Sequence, residues 1–179
     1  MYLTAGQFKG TKIEVPSDVK PTLSKVRESI FNMLMQYEVH DNTFLDMFSG
    51  SGIMGLEAYS RGYQPLLLEI NKKNFDIIKK NCSKVSLSIN VIKTDALKFK
   101  STDKYSIIYI DPPGANDYSN ILKKASELLN DNGVIFVEYD KIRQLDISEI
   151  LKKSNIPLKI IKSKKYGRCL IDVLQKSYL

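Results

Sequence analysis

Residues 44–58 read FLDMFSGSGIMGLEA: a short apolar run meets Asp46, and glycines follow at positions 50, 52 and 55. This order predicts a strand, a tight glycine turn and a helix, because glycine permits backbone conformations and close approaches that a side chain would prevent. The spacing G-x-G-x-x-G is typical of turns that hold a nucleotide-like ligand at a helix N-terminus. The motif alone is weak, since glycine-rich turns of this kind also occur without a ligand.

Two acids near this turn indicate the chemistry of the ligand. Glu69 ends the next apolar run and follows Gly50 by about 20 residues, the separation at which dinucleotide-binding folds place a carboxylate on the ribose hydroxyls. Asp46 would repel a pyrophosphate but would attract a ligand that carries an ammonium or sulfonium group. The two acids therefore favour S-adenosylmethionine over NAD as the cofactor.

The chain has 179 residues, of which 43% are hydrophobic, enough for a substantial core. This length predicts one domain, with a small N-terminal hairpin and helix at 1–40 joined to a main domain at 41–179. No apolar run is long enough to span a membrane and no signal-peptide segment is visible, so a cytoplasmic location is expected. Cys82 and Cys169 match no metal-binding spacing; we expect both to stay reduced and expect no metal site.

The net charge of +7 is concentrated at one end of the chain. Residues 141–179 contain ten Lys and Arg against three Asp and Glu, which accounts for the whole excess. A basic surface of this kind favours a polyanionic partner such as nucleic acid. The alternative is a lysine-rich surface that serves only solvation.

The rest of the chain alternates between strand-like and helix-like segments. After an N-terminal hairpin within 2–15, helices are predicted at 21–37, 52–61, 71–85, 118–129 and 147–153. Strands are predicted at 43–47, 64–70, 88–93, 105–110, 134–138, 158–164 and 169–175, with a turn at 132–133. The last two strands are too closely joined to be parallel. The pattern predicts an α/β fold: a Rossmann-like, doubly wound, mainly parallel sheet with an antiparallel C-terminal strand and a small N-terminal hairpin-helix extension.

A second motif, Asp111-Pro112-Pro113, follows the predicted fourth strand, where doubly wound sheets place their active sites. The prolines hold the backbone extended, so the Asp111 carboxylate and the Pro112 carbonyl form two rigid acceptors. Such acceptors would grip an exocyclic NH2 group, aim its nitrogen at an electrophile and stabilise the positive charge that develops on it. The alternative is a proline-rich strand exit with a solvated aspartate.

The motif D-x-F-S-G-S-G at 46–52 and Asp111-Pro112-Pro113 together resemble class I S-adenosylmethionine-dependent amino-methyltransferases. The flanking segments KPTLSKVRESIFNML at 20–34 and KKYGRCL at 164–170 narrow the resemblance to the RsmD family, which methylates a guanine N2 in small-subunit (16S) ribosomal RNA. The resemblance runs over essentially the whole chain. It implies direct in-line methyl transfer without a covalent enzyme intermediate, and the assembling 30S particle or its RNA as the partner of a monomeric enzyme.

The resemblance also implies that residues 1–40 cover the active site and contact RNA, that residues 41–179 form the methyltransferase domain, and that individual residues have specific roles. The cofactor would be held by Asp46, Ser49, Gly50, Ser51 and Gly52 at its methionine end, by Glu69 at the ribose, and by Asp95 and Ala96 at the adenine. The catalytic set would be Asp111, Pro112 and Pro113. Thr22 and Arg27 lie in a segment that would close over the substrate, although the position of Arg27 on its helix also fits a solvated ion pair. Lys164, Lys165 and Arg168 would contact RNA.

Gly114 departs from the family pattern, which usually has an aromatic residue after the two prolines. That ring stacks on the flipped base. Tyr118 is expected either to supply a ring from four residues on or to pack its own helix. Three alternatives remain at this point: an S-adenosylmethionine-binding ribosome-assembly module with little transfer, an adenine-N6 DNA methyltransferase, and an NAD oxidoreductase. The chain shows no DNA target-recognition domain, and Asp46 disfavours NAD.

Overall fold

The structure is a computed structural model that describes residues 1–114 and 117–178. The strands of this described part are β1 (Thr43–Asp46), β2 (Gln64–Glu69), β3 (Asn90–Lys93), β4 (Tyr105–Ile110), β5 (Leu129–Asp140), β6 (Leu158–Tyr166) and β7 (Cys169–Lys176). The helices are α1 (Ser24–Leu34), α2 (Ile53–Ser60), α3 (Lys72–Ser83), α4 (Tyr118–Leu128) and α5 (Ile147–Lys153), with a 3₁₀ turn at Lys141–Arg143. Within the same residues, every helix falls short of the length and hydropathy that crossing a bilayer requires.

The strands form one sheet in the order β3-β2-β1-β4-β5-β7-β6. The first four pairings along this order are parallel, whereas β7 runs antiparallel to both β5 and β6. The chain adds strands to one side of β1 and then to the other, so the topological switch point lies between β1 and β4. The predicted fold class is confirmed, and this type of sheet binds ligands at the carboxyl ends of the strands beside that point.

Two apolar clusters lie on opposite faces of the sheet. Helices α1, α2 and α3 contribute to the first cluster, and α4 and α5 to the second. Ile107 and Tyr109 of β4 face the first cluster, while Ile108 and Ile110 face the second, as the alternation of side chains along a strand requires. The whole of β4 is buried, which its nearly continuous apolar run predicts for a strand covered on both faces.

The predicted turn at 132–133 is wrong. Helix α4 passes directly into β5, which already begins at Leu129 and shifts its register against β4 between Tyr105 and Ile107. A Cβ atom on Gly133 would lie 2.6 Å from Leu129 Cδ1 and 2.9 Å from the Ser106 carbonyl oxygen. Glycine therefore permits a close approach inside the sheet here, whereas the sequence pattern indicated a turn.

A buried carboxylate, Glu57 of α2, attaches the N-terminal segment to the rest of the molecule. It accepts hydrogen bonds from the Thr4 N–H (3.0 Å) and the Thr4 hydroxyl (2.7 Å), and it forms ion pairs with Arg27 (3.4 Å) and Arg61 (3.1 Å). Arg27 also donates to the carbonyl oxygens of Tyr2 and Thr22, both at 2.8 Å. The Arg27 side chain is fully buried in this network, so the prediction that it contacts the substrate is wrong.

Arg27→Ala is expected to lower the free energy of unfolding by about 3–5 kcal/mol, because Glu57 would keep a buried charge with one partner fewer. Urea unfolding of the variant and of the parent protein measures the difference. Lys25→Ala is the matched control, since Lys25 lies on the exposed side of the same helix. Equal stability of the two variants would contradict the structural role assigned to Arg27.

Candidate active site

A cleft of about 600 Å³ opens at the carboxyl ends of the parallel strands, within the usual range for small-molecule sites. Its walls are the glycine turn after β1, the ends of β2, β4 and β5, and the segment before α1. The cleft brings together most of the residues predicted from the sequence: Thr22, Asp46, Ser49, Gly50, Ser51, Glu69, Asp95, Ala96, Asp111, Pro112, Pro113 and Gly114.

Four adjacent strands each bring a carboxylate to this cleft. In spatial order they are Glu69 at the end of β2, Asp46 at the end of β1, Asp111 directly after β4, and Glu138 near the end of β5. Carboxylates gathered in a partly enclosed cleft attract cations. The described residues nevertheless contain no group of three or more His, Cys, Asp and Glu side chains suited to hold a metal ion. The four carboxylates therefore favour a cationic ligand.

The glycine turn is tied to β2 through Glu69. The Gly50 N–H donates to Glu69 Oε2 and the Asn71 N–H donates to Oε1, both at 2.8 Å. Gly52 has φ +79°, and its N–H donates to the Ser49 carbonyl at 2.6 Å. Gly52 therefore fixes the shape of the turn, but it does not line the cleft. The turn thus supplies close approach, and the fixed Glu69 carboxylate presents its remaining lone pairs to the cleft.

Asp46 is a buried acid with an unused acceptor. Its side chain is 1% exposed, and burial raises its pKa to about 7. Oδ1 accepts a long hydrogen bond of 3.4 Å from the Phe48 N–H, whereas Oδ2 has no partner among the described residues. An unpaired buried carboxylate oxygen is costly, and a cationic ligand group would satisfy it.

Asp111 and Glu138 lie side by side with raised pKa values. Withdrawal from water raises the pKa of Asp111 well above its ordinary value, and the negative charge of Glu138 raises it further. Burial likewise raises the pKa of Glu138, against hydrogen bonds that lower it. Acids with strongly shifted pKa values in a cleft are typical of functional sites.

A hydrogen-bond network around Glu138 was not predicted from the sequence. Glu138 Oε2 accepts from the Tyr109 hydroxyl at 2.6 Å and from the Thr22 hydroxyl at 3.2 Å, and Oε1 accepts from the Cys169 thiol at 3.4 Å. Two signals would have found these residues: Tyr109 precedes Asp111 by two positions and so shares its strand face, and Glu138 is an acid at the end of an apolar strand. Burial and the nearby Glu138 raise the pKa of Cys169, so it stays a thiol.

Arg143 is a second residue that sequence reasoning missed. Its Nη1 donates to the Pro112 carbonyl at 3.2 Å and to the Tyr118 hydroxyl at 3.0 Å. Tyr118 itself is 3% exposed and packs in the second apolar cluster. The prediction that Tyr118 contacts the substrate is therefore wrong, and its packing alternative is confirmed.

The space beside Gly114 is open. An added Cβ there would meet no atom of the described residues within 4 Å, and the φ of +68° disfavours any residue with a side chain. An aromatic residue at this position would thus require a different backbone conformation.

The predicted RNA-binding residues lie outside the cleft. Lys164 and Lys165 are exposed on β6, and Arg168 is exposed on the short connection between β6 and β7. Arg168 Nη2 forms an ion pair of 3.0 Å with Asp140, a residue of the cleft wall. The β6–β7 hairpin therefore lies beside the mouth of the cleft.

Comparisons with known proteins match nearly the whole chain. Residues 1–175 match the family described as "Conserved hypothetical protein 95". A Buchnera aphidicola protein named "Ribosomal RNA small subunit methyltransferase D" is 35% identical over 154 residues, which cover 79% of this chain and 78% of that protein. The Escherichia coli protein of the same name is 33% identical over 137 residues, 73% of this chain and 67% of its own length. The solved structure of the putative methyltransferase yhhF from Escherichia coli gives a TM-score of 0.81 at 25% identity, covering 99% of this chain and 98% of that one.

Proposed function

The chain belongs to the family described as "Conserved hypothetical protein 95", the RsmD family, and on that premise we propose that it transfers a methyl group from S-adenosylmethionine to the N2 amine of a guanine in small-subunit (16S) ribosomal RNA. The observation that carries the proposal is the position of Asp111-Pro112-Pro113, which faces the glycine turn across one cleft. An rRNA substrate, free or in an assembling 30S particle, would place the enzyme in the cytoplasm.

The residues of the cleft fit S-adenosylmethionine, which when bound supplies a methyl group on a sulfonium centre. The unpaired Oδ2 atom of Asp46 would accept from the ammonium group of the methionine end, next to Ser49 and Ser51. Glu69 would accept from the ribose hydroxyls with the lone pairs that Gly50 and Asn71 leave free. Asp95 and the backbone of Ala96 line the same cleft and would contact the adenine edge.

The second half of the cleft would hold the guanine. The Asp111 carboxylate and the Pro112 carbonyl would each accept one N–H of the exocyclic amine, so that the nitrogen lone pair points along the cleft toward the methyl group. Both acceptors also stabilise the positive charge that develops on the nitrogen during transfer. Arg143 would keep the Pro112 carbonyl in place through its 3.2 Å hydrogen bond, which leaves the second lone pair of that oxygen for the amine.

Cys169 is the cysteine nearest to the chemistry, yet it fits no covalent mechanism. Its pKa is raised by burial and by Glu138, and a thiol is a far weaker nucleophile than a thiolate. We therefore propose direct displacement without an enzyme adduct. Outside the cleft, the exposed Lys164, Lys165 and Arg168 would contact RNA phosphates.

The test is transfer of labelled methyl from S-adenosylmethionine to small ribosomal subunits that lack the modification, followed by nucleoside analysis. We expect label in N2-methylguanosine. Label in another nucleoside, including N6-methyladenosine, would overturn the substrate assignment. Cofactor binding without any transfer would favour a binding module in ribosome assembly. The lack of a stacking ring at Gly114 is the feature that supports this alternative.

A further inference from the structure

Asp111 and Glu138 occupy equivalent places on neighbouring strands. The parallel register pairs Ile110 of β4 with Val137 of β5, so the next residues along the two strands are these two acids. Because side chains alternate along a strand, both acids leave the sheet on the same face, and adjacent strands are only about 4.8 Å apart. Both side chains line the cleft. Together with the Pro112 carbonyl, the two acids give the site three acceptors, one more than the two that an exocyclic amine requires.

Hydrogen bonds hold Glu138 in place and lower its pKa against the effect of burial, which raises it. Tyr109 and Thr22 donate to Oε2 at 2.6 and 3.2 Å, and the weakly donating thiol of Cys169 reaches Oε1 at 3.4 Å. Asp111 has no comparable set of donors among the described residues, and the charge of Glu138 adds to burial in raising the pKa of Asp111. Oε1 of Glu138 retains acceptor capacity, because a thiol is a poor donor and an ionised carboxylate oxygen accepts more than one hydrogen bond.

The Watson–Crick edge of guanine matches two acceptors in a row. Its N2 amine and its N1–H are neighbouring donors, whereas adenine and 2,6-diaminopurine carry an unprotonated N1 acceptor next to the amine. An ionised carboxylate opposite that acceptor leaves two lone pairs facing each other, and such mismatched polar groups are strongly rejected.

We infer that Glu138 accepts the N1–H of guanine while Asp111 and Pro112 hold its N2 amine, so that Glu138 is the residue that selects guanine. This inference rests on the proposed function, and it assigns base selection to a residue outside the Asp-Pro-Pro motif. The hydrogen bonds that join Thr22 to Tyr109 and Glu138 support this selection structurally, because they tie Glu138 to the segment before α1, which also lines the cleft.

The experiment compares two substrates that both keep the N2 amine. Small-subunit rRNA is assembled by ligation with either guanosine or 2,6-diaminopurine riboside at the target position found in the transfer experiment, and is then reconstituted into subunits. The parent enzyme is expected to prefer guanosine by about 10–100-fold in kcat/KM. Glu138→Gln is expected to narrow or reverse this ratio, because its amide can donate to the N1 acceptor of 2,6-diaminopurine. Glu127→Gln, an exposed residue of α4, is the matched control and is expected to keep the parental ratio.

Each result decides a different point. A parent enzyme that does not discriminate between the two bases overturns the inference without any variant. An unchanged ratio in Glu138→Gln, with equal losses on both substrates, would make Glu138 a purely structural residue and overturn it as well. Failure of the parent enzyme to methylate guanosine at all would remove the proposed function, and this inference with it. Melting temperatures of both variants distinguish a changed ratio from partial unfolding.

Discussion

Asp111→Ala is expected to lower the rate of methyl transfer by about 10²–10³-fold, the usual cost of removing one preorganised group that stabilises charge in the transition state. The loss follows because only Pro112 would remain to orient the amine and to stabilise its developing positive charge. Affinity for S-adenosylmethionine is expected to stay unchanged, since the residues proposed to hold the cofactor, Asp46 and Glu69, belong to β1 and β2. Single-turnover transfer to unmodified small subunits and calorimetric titration of the cofactor measure the two effects separately.

Two further expectations distinguish a role of Asp111 in the chemistry from a general loss of structure. Asp111→Asn keeps an acceptor oxygen at the same place and is expected to retain more activity than the alanine variant. Burial raises the pKa of Asp111 well above its ordinary value, so its ionisation costs the folded state stability near neutral pH. Without ligand, the alanine variant is therefore expected to be at least as stable as the parent protein there. Transfer at the parental rate in Asp111→Ala would exclude Asp111 from the chemistry.

The parts of the site that the sequence predicts are those set by local backbone geometry. A glycine turn after a strand, an acid at the end of the next strand, and two prolines at a strand exit each determine their own conformation within a few residues. Their meeting in one cleft then follows from the parallel sheet, in which all these strand ends lie along one edge. For this reason Gly50, Glu69 and Asp111 could be assigned to one site before their distances were known.

The residues that the sequence assigned wrongly depend on side-chain packing between distant segments. Arg27 lies on the buried face of its helix, where it forms an ion pair with Glu57 of another helix. The pattern of apolar residues in the sequence does not reveal this partner. Tyr118 is separated by four positions from Gly114, yet its ring turns into the second apolar cluster and its hydroxyl binds Arg143. Sequence separation alone does not determine which of two neighbours a side chain meets.

Glu138, in contrast, is a residue that the sequence analysis failed to single out, and the reason is again packing between distant segments. One acid at the end of an apolar strand gives a weak signal, because strand ends often carry a solvated charge. Its importance appears only when the register places it beside Asp111, and when Thr22 and Cys169, distant in sequence, both donate to it. Functional groups of this kind are tertiary features, and a single sequence does not contain the pairing information that reveals them.

Asp46→Asn is expected to weaken binding of S-adenosylmethionine and, at the same time, to stabilise the ligand-free protein at alkaline pH. The loss of a charge-assisted contact with the ammonium group is expected to raise the dissociation constant about 10–100-fold. NAD is expected to bind the parent protein far more weakly than S-adenosylmethionine does, because Asp46 would repel its pyrophosphate. Calorimetric titration with each cofactor measures both expectations.

The sign of the stability effect follows from the raised pKa of Asp46, which is about 7 in the folded protein because of burial and the nearby charge of Glu69. Its unfolded value is near 4, so the folded state favours the neutral form and binds the proton more tightly than the unfolded state does. Stability therefore falls as the pH rises from about 4 to about 7, and the full cost is present above that window. The neutral asparagine removes this cost, and so the stability of the variant relative to the parent protein increases with pH by a few kcal/mol in total.

Urea unfolding of both proteins at about pH 5 and about pH 8 tests this linkage. The informative quantity is the change in the stability difference between the two pH values, because any fixed packing cost of the amide cancels. A difference independent of pH would show that Asp46 ionises freely in the folded protein, and would contradict its role as an unsatisfied buried acid. If the stability difference grows with pH and the variant binds the cofactor more weakly, then one carboxylate both destabilises the ligand-free protein and binds the cationic cofactor. The ligand-free protein is then less stable because its site is already arranged for that charge.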